Sequence, residues 1–297
     1  MTRSSGQESK AVTVSGNPAG GLGIHREDWP PPRADLAARL VARDQLSPDA
    51  QLLRFESEAP LQVLPGQFTM VRVEGGGLLR RPYSFCDLLD DGAFTLLVKE
   101  VGVGTRALMN LPIGEAVSSL GPLGTTFELP PPDLTPVIVA GGVGIAPFVL
   151  FCRRLAESGR RGIVLLGGRR RPDLYLWETF ERFGMDVRVA TEDGSAGRHG
   201  FVTALLDDAL AEAGRPYLYS CGPTGMLLKV AELATAAGVP HQVSIERRMG
   251  CGMGCCLGCV VWAQPAAGGP AEYLRSCTEG PVFDAQTISW DQDPHPL

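Results

Sequence analysis

Val137-Ile138-Val139-Ala140-Gly141-Gly142-Val143-Gly144-Ile145-Ala146-Pro147 is the stretch on which the fold turns. Four apolar residues in a row predict a strand covered on both faces. The glycines then predict a tight turn, and Pro147 suits the first turn of a helix that carries Phe148, Phe151 and Leu155 on one face. The rhythm continues downstream. Ile163–Leu166 reads as the next strand, 173–183 as a helix stopped by Gly184, and Val187–Ala190 as a third strand. Tyr217–Tyr219 and Gln242–Ile245 follow later helices. Alternating β and α elements predict a doubly wound parallel sheet, hence an α/β domain. Leu134 to Cys152 carries no charge for nineteen residues, near the length of a membrane span. Pro136, Gly141, Gly142, Gly144 and Pro147 interrupt it, so it reads as buried strand, turn and helix start, and no membrane span is expected.

Upstream the pattern differs. From about 35 to 130, short runs alternate with turn residues. Gln67–Val73 precedes Gly75-Gly76-Gly77, and Phe94–Lys99 follows Asp90-Asp91-Gly92. This spacing predicts an all-β antiparallel barrel, with one short helix near 105–110. Pro130-Pro131-Pro132-Asp133 marks the linker. The expected division is 1–33 disordered tail, 34–132 barrel, 133–246 α/β domain and 247–297 a small third unit. The tail is rich in Ser, Gly and Pro and too polar to offset its ordering entropy. With 297 residues, two or three domains are expected; a net charge of -6 argues against nucleic-acid binding through phosphate neutralisation. No apolar signal core opens the chain, so a reducing, cytoplasmic setting is expected.

Five of eight cysteines fall in the third unit. Cys251-x4-Cys256-x2-Cys259…Cys277 is the spacing of a plant-type two-iron, two-sulfur centre. Gly250, Gly252, Gly254 and Gly258 let the backbone wrap such a group closely. The alternative is structural zinc, although Cys251 and Cys277 form no second C-x-x-C pair. Cys255 is a fifth thiol and reads as a bystander. A unit this small needs a metal to hold it together.

Gly141, Gly142 and Gly144 lie where a strand meets a helix, the place at which a dinucleotide pyrophosphate approaches the backbone. The third fingerprint glycine is missing, and Arg169-Arg170-Arg171 stands where a ribose-binding acid is usual. A tight structural turn is the competing reading. Cys221, Gly222 and Pro223 follow the fourth strand at the carboxyl edge of the sheet, where ligands bind in such folds; Cys221 reads otherwise as a buried core thiol. In the barrel, Arg81, Pro82, Tyr83 and Ser84 bring a pyrophosphate partner, an aromatic face and a hydroxyl onto one strand. Gly102-Val103-Gly104-Thr105 opens the short helix. A surface arginine beside an ordinary strand is the bland reading.

Taken in order, Arg-x-Tyr-Ser, Gly-Gly-Val-Gly-Ile-Ala-Pro and Cys-Gly-Pro resemble the ferredoxin–NADP reductase superfamily over about residues 35–245. Met249 to Cys259, with Cys277 and Gly280-Pro281-Val282-Phe283, is similar to the electron-transfer subunit family of dihydroorotate dehydrogenase B. So are Thr191–Ser195 and Gly200–Thr203. The resemblance implies FAD on Arg81, Pro82, Tyr83, Ser84, Leu97, Val98, Lys99, Gly104 and Thr105. It implies NAD(H) as substrate, and a [2Fe-2S] cluster on Cys251, Cys256, Cys259 and Cys277. Cys255 stands where that family usually has alanine and is not a ligand. The implied function is electron transfer to an FMN-containing dihydroorotate dehydrogenase catalytic subunit in pyrimidine biosynthesis. This chain has no room for a second flavin barrel and no acid–base constellation, and hydride transfer needs none. The arginine run leaves NAD versus NADP open. A reductase subunit for a sulfur- or hydrogenase-type acceptor, or a non-redox zinc module, are the rival readings.

Overall fold

A computed structural model describes residues 34–264 and 269–290. The stretch expected to be a disordered tail lies outside them. Six antiparallel strands close a barrel: β1 (Ala34–Ser47), β2 (Ala50–Ser57), β3 (Phe68–Arg72), β4 (Arg81–Leu88), β5 (Phe94–Lys99) and, after helix α1 (Val103–Met109), β6 (Ala116–Leu123). The order around the barrel is β1-β2-β5-β4-β3-β6. Alternation along each strand puts Leu53, Phe55, Phe94, Leu96 and Val117 inside, and Leu108 and Met109 of α1 join them. Phe55 stacks on Phe94 at 5.5 Å and Phe85 meets it edge-on at 5.2 Å.

The linker after Leu129 is fastened by Arg160, whose guanidinium donates to the carbonyls of Pro130, Pro131 and Leu134. The second domain then runs β7 (Thr135–Gly141), α2 (Ala146–Glu157), β8 (Ile163–Gly168), α3 (Trp177–Arg182), β9 (Asp186–Thr191), β10 (Arg198–His199), α4 (Leu206–Ala213), β11 (Pro216–Cys221), α5 (Thr224–Ala237) and β12 (His241–Ser244). These strands pair in parallel. On β7, Ile138 and Ala140 pack with Phe148, Phe151 and Leu155 of α2, while Val137 and Val139 pack with Leu206, Ala209, Val230 and Ala234 of α4 and α5. One apolar run therefore serves two helical layers, the doubly wound arrangement its sequence predicted.

The helix expected over 173–183 is shorter. Arg171–Asp173 forms one 3₁₀ turn, Leu176 adopts φ +60°, and α3 starts only at Trp177. Tertiary demands explain the break: Asp173 and Tyr175 are buried and engaged by Lys99 of the barrel. Gly184, at φ +74°, ends the helix as expected.

The third unit forms the hairpin β13 (Val260–Ala263) and β14 (Glu272–Arg275) and then strand β15 (Val282–Asp284). β15 pairs antiparallel with β12, so the sheet reads β10-β9-β8-β7-β11-β12-β15. Val261, Ala263, Phe283 and Ile288 share one core with Leu227, Val243 and Ile245. A unit too small to build its own core thus borrows one. It is also stitched to the barrel: the Thr125 N–H donates to the Gly280 carbonyl at 2.7 Å, and the Thr125 hydroxyl exchanges hydrogen bonds with the main chain of Val282.

Candidate functional site

The sequence-predicted residues fall into three sets, the second joined to the barrel through the cluster of Leu97, Ile145 and Cys221 and the third through that of Met70, Cys259 and Cys277. The first is on β4. Arg81–Ser84 pair with Val71–Phe68 of β3, but β4 meets β5 only from Phe85↔Leu96 onward. Beyond that pair the two strands part, which leaves Arg81–Ser84 on one side of a gap and Leu97–Lys99 on the other. Arg81 sits at one end, its Nη1 donating to the carbonyls of Gly76 at 2.6 Å and Leu79 at 3.1 Å. A Cβ on Gly104 would overlap this guanidinium at 2.1 Å from Cζ, so any larger residue there displaces the Arg81 side chain. Thr105 spends its hydroxyl on capping α1: it accepts from the N–H groups of Val101 and Gly102 and donates to the Gly102 carbonyl. What α1 offers outward is the N–H groups of its first turn, beside Arg81. Burial pushes the Tyr83 hydroxyl up to about 12 despite the Arg81 charge, so it is a neutral aromatic face. The Lys99 ammonium pairs with Asp173 at 3.2 Å and Asp49 at 3.5 Å, tying barrel to sheet; its side chain is committed to that link.

The second set is at the carboxyl edge of the sheet. β7 and β11 are neighbours, with Ala140 opposite Cys221, so the Gly141-Gly142-Val143-Gly144 turn lies against Cys221-Gly222-Pro223. A Cβ on Gly141 would stand 2.8 Å from Pro223 Cδ, and Gly222, at φ +154°, is 2.9 Å by the same measure from the Gly141 nitrogen. Ile145, Cys221 and Leu97 of β5 share one apolar cluster, which brings this edge to the flank of the barrel gap. Burial, reinforced by the Glu246 charge, pushes the Cys221 thiol up to about 12, against a hydrogen bond from Ser244. The thiol stays protonated at neutral pH and is not a nucleophile. Arg169, Arg170 and Arg171 are exposed at the end of β8. The Arg171 N–H donates to Ser195 Oγ at 2.8 Å and its guanidinium lies over Trp177 at 5.6 Å, whereas Arg170 reaches Asp173 only at 3.9 Å.

The third set is the cysteine loop. Left-handed backbone at Gly252, Gly254 and Leu257 turns the chain back on itself. The Met253 N–H donates to Cys251 Sγ at 3.4 Å. Burial opposes ionisation of Cys251, but N–H groups of Met253, Cys256 and Cys255 bring it down to about 6. The thiols of Cys251, Cys256, Cys259 and Cys277 interact with one another: Cys251 bonds with Cys256 and Cys277 with Cys259, and Cys259 also feels the Cys251 and Cys256 charges. The Cys277 bond lowers Cys259 to about 7, and the same bond raises Cys277. Among the described residues no three His, Cys, Asp or Glu side chains converge on one single-ion position. Four mutually interacting thiols at this spacing are the donor set of a two-iron cluster, which takes two thiolates per iron. The residues fit the [2Fe-2S] group. Cys255 is exposed and its Sγ reaches only the Met253 carbonyl, at 3.9 Å. Cys86 and Cys152 are fully buried, their thiols raised by desolvation.

Some site residues escaped the sequence reading. Ser244 lies opposite Cys221 on β12, and Glu246 follows two residues later. Met70 of β3 carries the cysteine loop. The position of Ser244 at a strand's carboxyl end, and of Glu246 just past it, is a usable signal; nothing in the sequence marks Met70.

Three family models match the chain in series: an oxidoreductase FAD-binding domain over residues 37–127, an oxidoreductase NAD-binding domain over 138–232, and the iron–sulfur cluster binding domain of dihydroorotate dehydrogenase B over 246–289. The chain is similar to the dihydroorotate dehydrogenase B (NAD(+)) electron transfer subunit of Desulforamulus reducens, 34% identical over 258 residues spanning 86% of this chain and 98% of that one. The corresponding subunit of Caldanaerobacter subterraneus subsp. tengcongensis is 34% identical over 256 residues, 86% and 99% of the two chains. Among solved structures, an NADH-dependent reduced ferredoxin-NADP oxidoreductase is 29% identical with a TM-score of 0.74, covering 88% of this chain and 92% of that chain. A ferredoxin reductase in carbazole 1,9a-dioxygenase is 25% identical with a TM-score of 0.63, covering 70% and 67%.

Proposed function

Because the chain belongs to the family of dihydroorotate dehydrogenase B electron transfer subunits, we propose that Arg81, Pro82, Tyr83, Ser84, Leu97, Val98, Lys99, Gly104 and Thr105 hold its FAD. Gly141, Gly142, Gly144, Cys221, Gly222 and Pro223 seat the nicotinamide dinucleotide, and Cys251, Cys256, Cys259 and Cys277 ligate the [2Fe-2S] cluster. The chain is the NADH-linked oxidoreductase component that exchanges electrons with a catalytic partner subunit. We assign FMN and the interconversion of dihydroorotate and orotate to that partner, and the cytoplasm to the complex. No helix among the described residues is long and apolar enough to cross a membrane.

The observation that supports this most is contiguity: the nicotinamide edge shares an apolar cluster with β5, and the cysteine loop packs on the strand beside β4. Bound FAD supplies the change from two-electron to one-electron transfer, and the cluster carries single electrons. The protein supplies placement. The Arg81 fork pairs with the pyrophosphate while Gly104 leaves it room. Tyr83 gives an aromatic face and Ser84 a hydroxyl at the reactive edge. Cys221, held protonated, orients the nicotinamide by contact, and orientation suffices for hydride transfer. Around the cysteine loop Met253 and Leu257 are exposed and form the rim that meets the partner, while Met249 packs inward.

The test is flavin extraction with iron and sulfide analysis on the purified chain, followed by NADH addition with and without candidate partners. A yellow-brown sample that bleaches with NADH and co-purifies a dihydroorotate-oxidising subunit is expected. A colourless, zinc-containing sample sinks the cofactor assignments. The likeness to the reduced ferredoxin-NADP oxidoreductase favours one second reading, a reductase for another acceptor; it gains if NADH reduces the cluster yet no dihydroorotate-linked partner is found.

A further inference from the structure

Strand β3 divides its side chains between two neighbours. Thr69 and Val71 face the barrel, Thr69 bonding to Ser119 Oγ at 2.7 Å and Val71 entering the apolar core. Phe68 and Met70 face outward into a separate buried cluster with Leu120, Leu123, Met249, Cys259 and Cys277. Met70 is fully buried there. A Cβ on Gly252 would stand 2.5 Å from Met70 Cγ and 3.2 Å from its Sδ, so the backbone of the cysteine loop rests on the thioether. On its other side, the Met70 main chain pairs with Pro82, next to Arg81 and Tyr83. One residue thus touches the flavin strand through its backbone and the cluster loop through its side chain.

We propose that Met70 is a positioning residue that sets the separation of FAD from the [2Fe-2S] cluster and forms the packed contact across which single electrons pass. The proposal rests on the cofactor placement above. NADH would give a hydride, two electrons with a proton, to a flavin held by these residues and leave as NAD+. With both groups bound, one electron would cross to the oxidised cluster and the second would follow once the first had passed to the partner's acceptor, the proton returning to solvent. A flexible, unbranched thioether fills the irregular space between strand and loop, and truncation leaves a cavity or lets the loop shift. Small displacements between reacting groups carry large rate penalties.

The experiment mixes NADH with the full chain, loaded with FAD and cluster, and follows flavin bleaching and cluster reduction separately by stopped-flow absorbance and freeze-quench electron paramagnetic resonance. In Met70→Ala the slowing is expected to be several-fold and confined to cluster reduction, with FAD and iron contents retained; Met70→Leu restores most of the rate. Should the alanine variant lose iron, Met70→Val carries the same measurement. Cluster reduction at the wild-type rate in a fully loaded truncated variant overturns the proposal. So does equal slowing of both steps, or loss of the cluster in the leucine variant too, which would make Met70 a structural prop. A wild-type chain whose flavin bleaches while its cluster never does defeats the cofactor reading itself, a distinguishable result.

Discussion

Gly144 presses directly on the main chain of Cys221: a Cβ on Gly144 would lie 2.4 Å from the Cys221 carbonyl oxygen and 2.6 Å from its carbonyl carbon. The obstacle is backbone in a central strand, not the tip of a flexible side chain. Gly144→Ala is therefore expected to force β7 and β11 apart at their carboxyl ends, at a cost of about 1–3 kcal/mol. NADH affinity falls with it, because the same contact shapes the nicotinamide edge. Thermal unfolding and NADH titration of the variant check both; unchanged values refute the close-approach argument.

Arg81 and Gly104 form a matched pair. Alanine at 104 needs the space of the guanidinium, so Gly104→Ala and Arg81→Met are expected to weaken FAD binding in the same direction. Losing hydrogen bonds to a charged group is worth roughly 1.5–3 kcal/mol, about tenfold to a hundredfold in affinity. Arg81→Lys recovers little, since a point charge lacks the planar fork. Ultrafiltration with flavin fluorescence measures retention.

The five clustered cysteines separate into four and one. Cys251→Ser, Cys256→Ser, Cys259→Ser and Cys277→Ser are each expected to abolish stable cluster incorporation, and Cys255→Ser to leave it intact, because the Cys255 thiol bonds to the Met253 carbonyl and stands outside the four interacting thiols. Iron and acid-labile sulfide per chain give the answer. A Cys255 variant without cluster overturns the division into four ligands and one bystander.

His241 is nine-tenths or more buried, its Nε2 bonded to Ser220 Oγ at 2.7 Å and its Nδ1 without a partner, and burial pushes its pKa down to about 3. The unfolded chain holds an ordinary histidine near 6.5. Between these values the unfolded state binds more protons, so stability is full above about pH 6.5 and declines as pH falls toward 3. Lowering the pH from 7 to 5 is expected to remove roughly 2 kcal/mol through this residue. His241→Gln flattens that part of the acid limb. Denaturant midpoints of both proteins at pH 7 and 5 test it, and identical acid sensitivity refutes it.

The α/β architecture was readable because one apolar run, Val137–Ala140, had to satisfy two faces at once, and because Gly184 and the glycine turn punctuated it. The cysteine spacing was readable for a similar reason: loop geometry around a cluster is local, and glycines next to the thiols make it visible. The helix is shorter than the 173–183 pattern predicts because Asp173 and Tyr175 answer to Lys99, a residue of the barrel. Local propensity carries no record of such a partner.

By itself the sequence determined the kinds of element, the order of the three units and the residue types able to hold each redox group, since these follow from periodicity and from chemistry within a few positions. Only the tertiary structure decided how those residues come together. It placed Cys221 beside Gly144 by making β7 and β11 neighbours, parted β4 from β5 to open a gap beside Arg81–Ser84, and handed β15 to the sheet of the second domain. It also seated Gly252 on Met70. Each is a contact between distant segments, chosen by strand order and by the need of a small unit to share a core. No window of sequence holds both halves of such a contact.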